Sequence, residues 1–169
     1  MAGKLVQVDK AVASGNPTVL EVTGINTDDI YMVTFSNIVP SAGERLMIRV
    51  TKSDTADTTT NYNNARKGFL TSSSFQNNSD VNDTKWMMAT TDTASYGGSQ
   101  GIMFCYNFNS SSEYSIVSFE IPTWVTTPQI FGDIGGGIHT QTSASNGISL
   151  KWNGTATFSS GEIVLYKVV

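Results

Sequence analysis

Apolar and polar side chains alternate over short stretches in many parts of the chain. Residues 31–35, 46–50 and 115–121 repeat with a period close to two. This spacing is typical of a β-strand with one buried face and differs from the 3.6-residue period of an amphipathic helix. Similar stretches predict strands at residues 5–11, 18–23, 30–38, 45–53, 85–90, 101–108, 114–121, 129–133, 137–142, 147–152 and 162–168.

Turn-forming residues separate these stretches. The run Ser14-Gly15-Asn16-Pro17 divides the first two, and the pairs Asn146-Gly147 and Asn153-Gly154 are strong signals for tight turns. About ten short antiparallel strands with no convincing helix predict an all-β fold, either a sandwich or a barrel. No repeat, linker or change in composition divides the sequence, so we expect a single β domain over residues 1–169.

Two polar regions interrupt the strand pattern. Residues 51–84 are rich in Thr, Ser, Asn and Asp and are predicted to form a long loop. A helical turn near residues 63–70 is one alternative inside this loop. A short strand around residues 68–72 is another, because Phe69, Leu70 and Phe75 need a place to pack. The second polar region, residues 92–100, contains the pair Gly97-Gly98.

The polar residues of this chain are mostly uncharged. Charged residues make up 14% of the sequence, against about 25% in typical domains. In their place stand 20 Ser, 21 Thr and 13 Asn, which suit strands and turns better than helices. The net charge is −4 and the ten basic residues are scattered, so nothing favours binding to nucleic acid.

The sequence also bears on compartment and redox state. It has no apolar stretch of 18 residues and no signal-peptide pattern at its N-terminus, so we expect no membrane span and synthesis in a cytoplasm. Cys105 is the one cysteine, which excludes an internal disulfide and is expected to be buried.

Catalytic and metal-binding patterns are weak. A Ser–His–Asp arrangement would have to use His139, the one histidine, for which we expect a structural or solvent-facing role. The start of a calcium loop at Asp80 and Asp83 lacks the glycine and glutamate that complete one, and Asp54 with Asp57 is the other candidate cation pair. We predict a non-enzymatic protein with no cofactor and no metal.

Two further motifs have structural interpretations. Gly132-Asp-Ile-Gly-Gly-Gly137 continues into a strand pattern, which favours close backbone packing or a bulge over a phosphate-binding loop. A glycan-degrading enzyme would need two carboxylates in one cleft, with Glu113, Glu120 and Glu162 as the candidates.

Aromatic side chains supply the candidate binding residues. Trp86, Trp124 and Trp152 could stack on sugar rings, although the core or a subunit contact is the simpler place for them. Trp124 is the best surface candidate, because Pro122 and Pro128 suggest a loop around it. The candidate contacts for a glycan or protein partner are Trp124, Tyr96, Asp80 and Asp83.

Short pieces spread through most of the chain suggest a family. They are Leu5-Val-Gln-Val-Asp9, Val22-Thr-Gly-Ile25, Ile30-Tyr-Met-Val33, Asp57-Thr-Thr-Thr-Asn-Tyr62, Phe108-Asn-Ser-Ser-Ser-Glu-Tyr114, Ser118-Phe-Glu120, Gly135-Gly-Gly137 with Asn146-Gly147, and Gly161-Glu-Ile-Val-Leu-Tyr166. In order and spacing they resemble the small virion proteins of marine tailed bacteriophages, which are often labelled tail-fibre or structural proteins.

The resemblance implies a jelly-roll-like β-sandwich on the outside of a virion. Such modules are commonly homotrimers that contact one another and the capsid or tail proteins. The strand pattern starts near Leu5 without a preceding coiled coil or adapter, which favours a capsid decoration, a knob or a short fibre component. A carbohydrate-binding module that recognises a host surface glycan is the alternative, and a glycan-degrading enzyme is the least supported.

Overall fold

Thirteen β-strands make up the regular secondary structure of the described residues, which are 3–71, 75–91, 98–126 and 129–169 of a computed structural model. These residues contain no helix. The strands are β1 (Leu5–Val12), β2 (Val19–Thr23), β3 (Tyr31–Pro40), β4 (Glu44–Lys52), β5 (Thr55–Ala56), β6 (Tyr62–Leu70), β7 (Gln76–Asp83), β8 (Trp86–Thr91), β9 (Ser99–Tyr106), β10 (Ser115–Thr126), β11 (Gln129–His139), β12 (Gly147–Trp152) and β13 (Phe158–Val168).

Eight of the strands form a jelly roll. One sheet contains β1, β13, β3 and β9 in that order, and the facing sheet contains β2, β12, β4 and β8. Along the chain these eight strands change sheet at every step except between β4 and β8, which pair with each other, and this is the double Greek-key arrangement of a jelly roll. The prediction of an all-β, jelly-roll-like sandwich is confirmed.

Two insertions widen the first sheet. Strands β10 and β11 follow β9, and β6 and β7 come from the segment between β4 and β8. Together they continue the sheet in the order β9, β10, β11, β6 and β7, so the first sheet has eight strands. Strand β8 contacts the inner side of this extension, touching β10, β11, β6 and β7.

The interior lies between the two sheets and is rich in aromatic side chains. Strands β2 and β3 contribute mostly alternate residues, as the period of two predicts. The largest fully buried side chains are Trp86, Trp152, Tyr31, Tyr62, Phe35, Phe108 and Phe158. Trp152 and Phe158 pack with their ring centroids 5.1 Å apart, and Trp86 meets Tyr62 edge to face at 5.2 Å.

The prediction of a long loop over residues 51–84 is wrong, whereas the suggested short strand around residues 68–72 overlaps the end of β6. In place of a long loop, this region contains β5, β6 and β7, and the suggested helical turn at residues 63–70 lies in β6. The strand pattern was hidden because two of the inward positions of β6 are Asn64 and Arg66, which are buried but polar. Inside the fold Asn64 Oδ1 accepts a hydrogen bond from the Asp80 amide and Arg66 pairs with the Asp80 carboxylate, contacts for which the periodicity of apolar residues gives no signal.

The glycine run also differs from the prediction. Residues 129–133 and 137–142 were predicted as two strands, whereas β11 is continuous through Gly135, Gly136 and Gly137. A Cβ atom on Gly137 would lie 2.6 Å from Trp86 Nε1, so the indole packs directly on the backbone there. The interpretation of this motif as a site of close packing is therefore correct.

Candidate functional site

The four predicted contact residues do not form one site. Trp124 is partly buried near the end of β10, in a strand and not in the predicted loop. Tyr96 lies outside the described residues. Asp80 and Asp83 both belong to β7, the edge strand of the extended sheet.

Asp80 and Asp83 are engaged in contacts within the chain. Asp80 Oδ2 lies 2.9 Å from Arg66 Nη1. Asp83 Oδ1 lies 2.9 Å from Lys85 Nζ and accepts a hydrogen bond from the Thr84 amide. Although burial opposes ionisation, the hydrogen bonds from Lys85 and Thr84 hold the pKa of Asp83 below its usual value. These contacts neutralise both carboxylates locally.

His139 ends β11 and is completely buried. Its Nε2 lies 3.4 Å from Asp57 Oδ2, and its ring centroid is 4.6 Å from that of Tyr62. Burial lowers the pKa of His139, and the nearby charge of Lys52 lowers it further, against the opposing effect of Asp57. The imidazole is therefore neutral near pH 7 and has no exposed surface on which a substrate could dock.

Asp57 is the centre of this group, which we call the His139 cluster (Lys52, Asp57, Thr59, Tyr62 and His139). Lys52 Nζ lies 2.8 Å from Asp57 Oδ2, and Thr59 donates to Oδ1 from both its amide and its hydroxyl. Burial opposes the charge, but these hydrogen bonds outweigh it and hold the pKa of Asp57 at about 2. The Tyr62 hydroxyl donates to the Asp57 carbonyl at 2.8 Å. The cluster joins the β5–β6 connection to the end of β11.

We expect the fold to lose stability as the pH falls from about 7.5 to about 5.5. The folded pKa of His139 lies below the ordinary 6.5, so the unfolded chain takes up the proton more readily. This contribution is complete above pH 6.5 and is lost below it, by at most about 1.4 kcal/mol per pH unit. Replacing His139 with Gln should remove this loss, as measured by urea unfolding at both pH values.

Glu21 serves as an internal comparison in that experiment. Burial and the neighbouring Asp54 raise its pKa, so its titration adds stability as the pH falls and does so in both proteins. An equal loss of stability in the wild type and the His139→Gln variant would contradict the assignment to His139.

The remaining candidates for catalysis are two glutamates that lie far apart in the sheet and a cysteine that is buried. Glu162 on β13 pairs with Lys10, and Glu120 stands on β10, three strands away in the sheet. That separation is about 14 Å, beyond the 5–10 Å that glycoside hydrolysis uses. Cys105 is fully buried, and burial raises the pKa of its thiol, which keeps it protonated.

The outer face of the extended sheet is unusual in its polarity. By this face we mean the outward side chains of β9, β10, β11 and β6. Antiparallel sheets commonly expose a polar side to water, but here many outward residues are apolar: Ile102, Phe104, Ile116, Trp124, Ile134 and Ile138. Ile134 is 50% exposed, Ile116 40% and Ile102 38%. Contiguous exposed apolar surface of this kind marks an interaction site.

Small residues make a trough across this face. Ser118, Gly136 and Ala65 stand side by side on β10, β11 and β6. A groove of about 490 Å³ runs between Ile116 and Ile138 on one side and Val81 on the other. A second groove of about 230 Å³ lies among Ile102, Phe104 and Ile134.

The sequence analysis missed the outer face, although its signal is present. Residues 102–106 are apolar at every position, so this stretch of β9 presents apolar side chains on both sides of the sheet. In an antiparallel fold such a run predicts either a further covering layer or an exposed apolar face. The second sheet covers the inner side of β9, and no second layer covers its outer side in the described part of the chain.

Metal binding and membrane spanning are two further possibilities for this chain. Across residues 3–71, 75–91, 98–126 and 129–169, no three His, Cys, Asp or Glu side chains are grouped so that they could hold a metal ion. Asp54 and Asp57, the candidate cation pair, bind Asn146 and Lys52 respectively. The same ranges contain no helix with the length and apolar character needed to cross a bilayer.

Comparison with known proteins complements this geometry. Searches of protein-family models, of curated proteins and of solved structures found no match to the chain.

Proposed function

We propose that this chain is a non-enzymatic structural protein on the exterior of a bacteriophage particle. In this role it works through contacts with copies of itself, expected as trimers, and with neighbouring capsid or tail proteins. It would decorate the capsid or form a knob or short fibre. The assignment to a phage particle rests on the sequence resemblance. The structure supports the proposed mode of action, which is contact with other protein chains.

The outer face is the observation that carries the proposal. Its exposed isoleucine and aromatic side chains offer an apolar surface that a folded neighbour could cover, and such surfaces are characteristic of protein–protein contacts. Three of the four strands of this face, β10, β11 and β6, come from the two insertions, and the fourth, β9, belongs to the eight-stranded jelly roll. The insertions therefore supply most of the proposed interaction surface.

The ionisable groups of the chain support a structural role. His139, Asp57, Arg66 and Asp80 all make contacts within the fold, and the first three have buried side chains. Such groups contribute to holding the fold together, whereas a catalytic site needs groups that converge on an accessible cleft.

A particle experiment tests the proposal. A phage that encodes the chain should carry it in fixed copy number on its surface, as measured by quantitative mass spectrometry of purified particles and by immunogold labelling. Replacing the exposed Ile134 with Lys should lower the copy number at least about tenfold, because burying an unpaired ammonium group in an apolar contact is unfavourable.

Val12→Lys is the matched control. Val12 is 53% exposed on β1, at the other edge of the same sheet, and its replacement should leave the copy number unchanged. Particles that lack the wild-type chain would contradict the proposal, and so would full incorporation of the Ile134→Lys protein.

Recognition of a host surface glycan is the second candidate, and Trp124 favours it. Trp86 and Trp152 are fully buried, whereas Trp124 is partly exposed near the end of β10. Aromatic faces of this kind stack on sugar rings. Glycan-array binding by the wild type, lost in a Trp124→Ala variant, separates this candidate from a purely structural role.

A further inference from the structure

The outer face carries two charged side chains of opposite sign. Going across the sheet, Glu120 on β10 is in register with Ile134 on β11, and Ile134 is in register with Lys67 on β6. The other outward positions described on β9, β10, β11 and β6 are uncharged. The face therefore has an apolar centre with an acid on one side and a base on the other.

Neither charge is neutralised within the chain. Glu120 and Lys67 are two strands apart, about 10 Å, and the part of the chain that the structure describes contains no ion pair for either. Lys67 Nζ instead lies 4.8 Å from the centre of the Phe75 ring, which is 67% exposed. Both side chains are thus available to a partner.

We propose that the occupant of the outer face is a second copy of this chain, packed face to face about a two-fold axis that runs along β11. This axis lays β10 of each copy over β6 of the other. Glu120 of one copy then meets Lys67 of its partner, and the same pair forms a second time by symmetry. The inference rests on the self-association in the proposed function and specifies its geometry.

Charge complementarity singles out a second copy as the partner. An interface between identical faces requires that each charge find its opposite at the symmetry-related position. Here the acid and the base lie at equal distances on either side of Ile134, in one row of the sheet. A face with charges of one sign would repel its own copy.

The size of the face is sufficient for a specific contact. Four strands about 4.8 Å apart and about eight residues of β10 at 3.4 Å each give a surface of about 20 by 27 Å. Two copies would then bury on the order of 1,000 Å² in total, the lower bound for a biological interface. Sheets that pack in this aligned manner lie about 10 Å apart, which Lys and Glu side chains span together.

The pairing is compatible with the expected trimer. A three-fold contact elsewhere on the chain, with its axis perpendicular to and intersecting this two-fold axis, closes into an assembly of six copies. The proposal therefore specifies an even number of copies in the assembled species, a dimer or a hexamer. A monomer or an isolated trimer as the largest species at high micromolar concentration would overturn it.

Charge reversal tests the predicted pairs. We expect K67E and E120K each to raise the dissociation constant of the two-fold contact at least about tenfold, because each creates two like-charge contacts. An equimolar mixture of the two variants should restore association, since each acidic face then meets a basic one. Native mass spectrometry and sedimentation velocity measure the species, and labelling one of the two variants with nitrogen-15 lets their masses be told apart in the mixture.

Two matched control variants and a check of folding accompany the charge-reversal test. K151E and E113K make the same charge changes at exposed positions off the face and should leave association unchanged, and circular dichroism checks that all variants fold. Charge variants that associate like the wild type, or a mixture that stays dissociated, would overturn the pairing. If the pairing fails but the chain is found on phage particles, the proposed function stands. If the chain is absent from particles, the proposed function is overturned, and a dimer measured in solution is unaffected.

Discussion

Replacing Arg66 with Met is expected to lower the free energy of unfolding by about 3–5 kcal/mol, the range for breaking a buried ion pair by removing one partner. The Arg66 side chain is 4% exposed, with Nε 3.4 Å from Asp133 Oδ2 and Nη1 2.9 Å from Asp80 Oδ2. Met keeps much of the side-chain volume but removes the guanidinium group that pairs with the enclosed Asp133 carboxylate. Urea unfolding at neutral pH measures the loss.

A surface pair provides the comparison. Lys10 and Glu162 lie 2.6 Å apart with side chains that are 42% and 37% exposed, so Lys10→Met should cost no more than about 1 kcal/mol. The double variant Arg66→Met/Asp133→Asn should recover part of the loss, because it also removes the carboxylate charge. An Arg66→Met protein no less stable than Lys10→Met would contradict this account.

Replacing Trp86 with Ala is expected to destabilise the fold by about 3–5 kcal/mol. The indole is fully buried, packs edge to face on Tyr62 at 5.2 Å and donates from Nε1 to the Ile138 carbonyl at 3.3 Å. It extends from β8 to the backbone of β11 and so connects the two sheets. Denaturant unfolding followed by circular dichroism gives the change.

A double-mutant cycle with Gly137 tests the contact itself. A methyl group on Gly137 would collide with the indole at 2.6 Å, so Gly137→Ala should be clearly destabilising in the wild type and much less so in the Trp86→Ala background. Additive effects of the two substitutions would mean that the indole and Gly137 are not coupled.

The sequence predicted the jelly roll best where buried side chains are apolar. Strands β3, β4 and β12 follow the alternation of Tyr, Val, Leu and Ile closely, and the predicted bounds of β12 agree with those observed. Strand β6 was missed because Asn64 and Arg66 occupy its inward positions, and their burial depends on Asp80 and Asp133 from other strands. Partners that are distant in sequence cannot be inferred from local periodicity.

The same limitation applies to the candidate sites, because local sequence patterns do not show which distant residues meet in the fold. The sequence correctly favoured burial for Cys105 and a structural place for the glycine run. It placed Trp124 in a loop because two prolines flank it, yet β10 continues through Pro122. The apolar run at residues 102–106 gave a signal for the outer face, but its full extent could not be predicted from sequence, because its residues belong to four strands whose order in the sheet depends on two separate insertions.

Strand β13 lies between β1 and β3, so the last of the thirteen strands is inserted beside the edge strand of its sheet. Until it emerges from the ribosome, β1 has no hydrogen-bonded neighbour in that sheet, and one edge of β3 stays open. The sheet can therefore close only after all thirteen strands have been made, through contacts between strands that are far apart in the sequence, which is a slow class of folding reaction. During that interval the nascent chain exposes unpaired strand edges that favour intermolecular pairing.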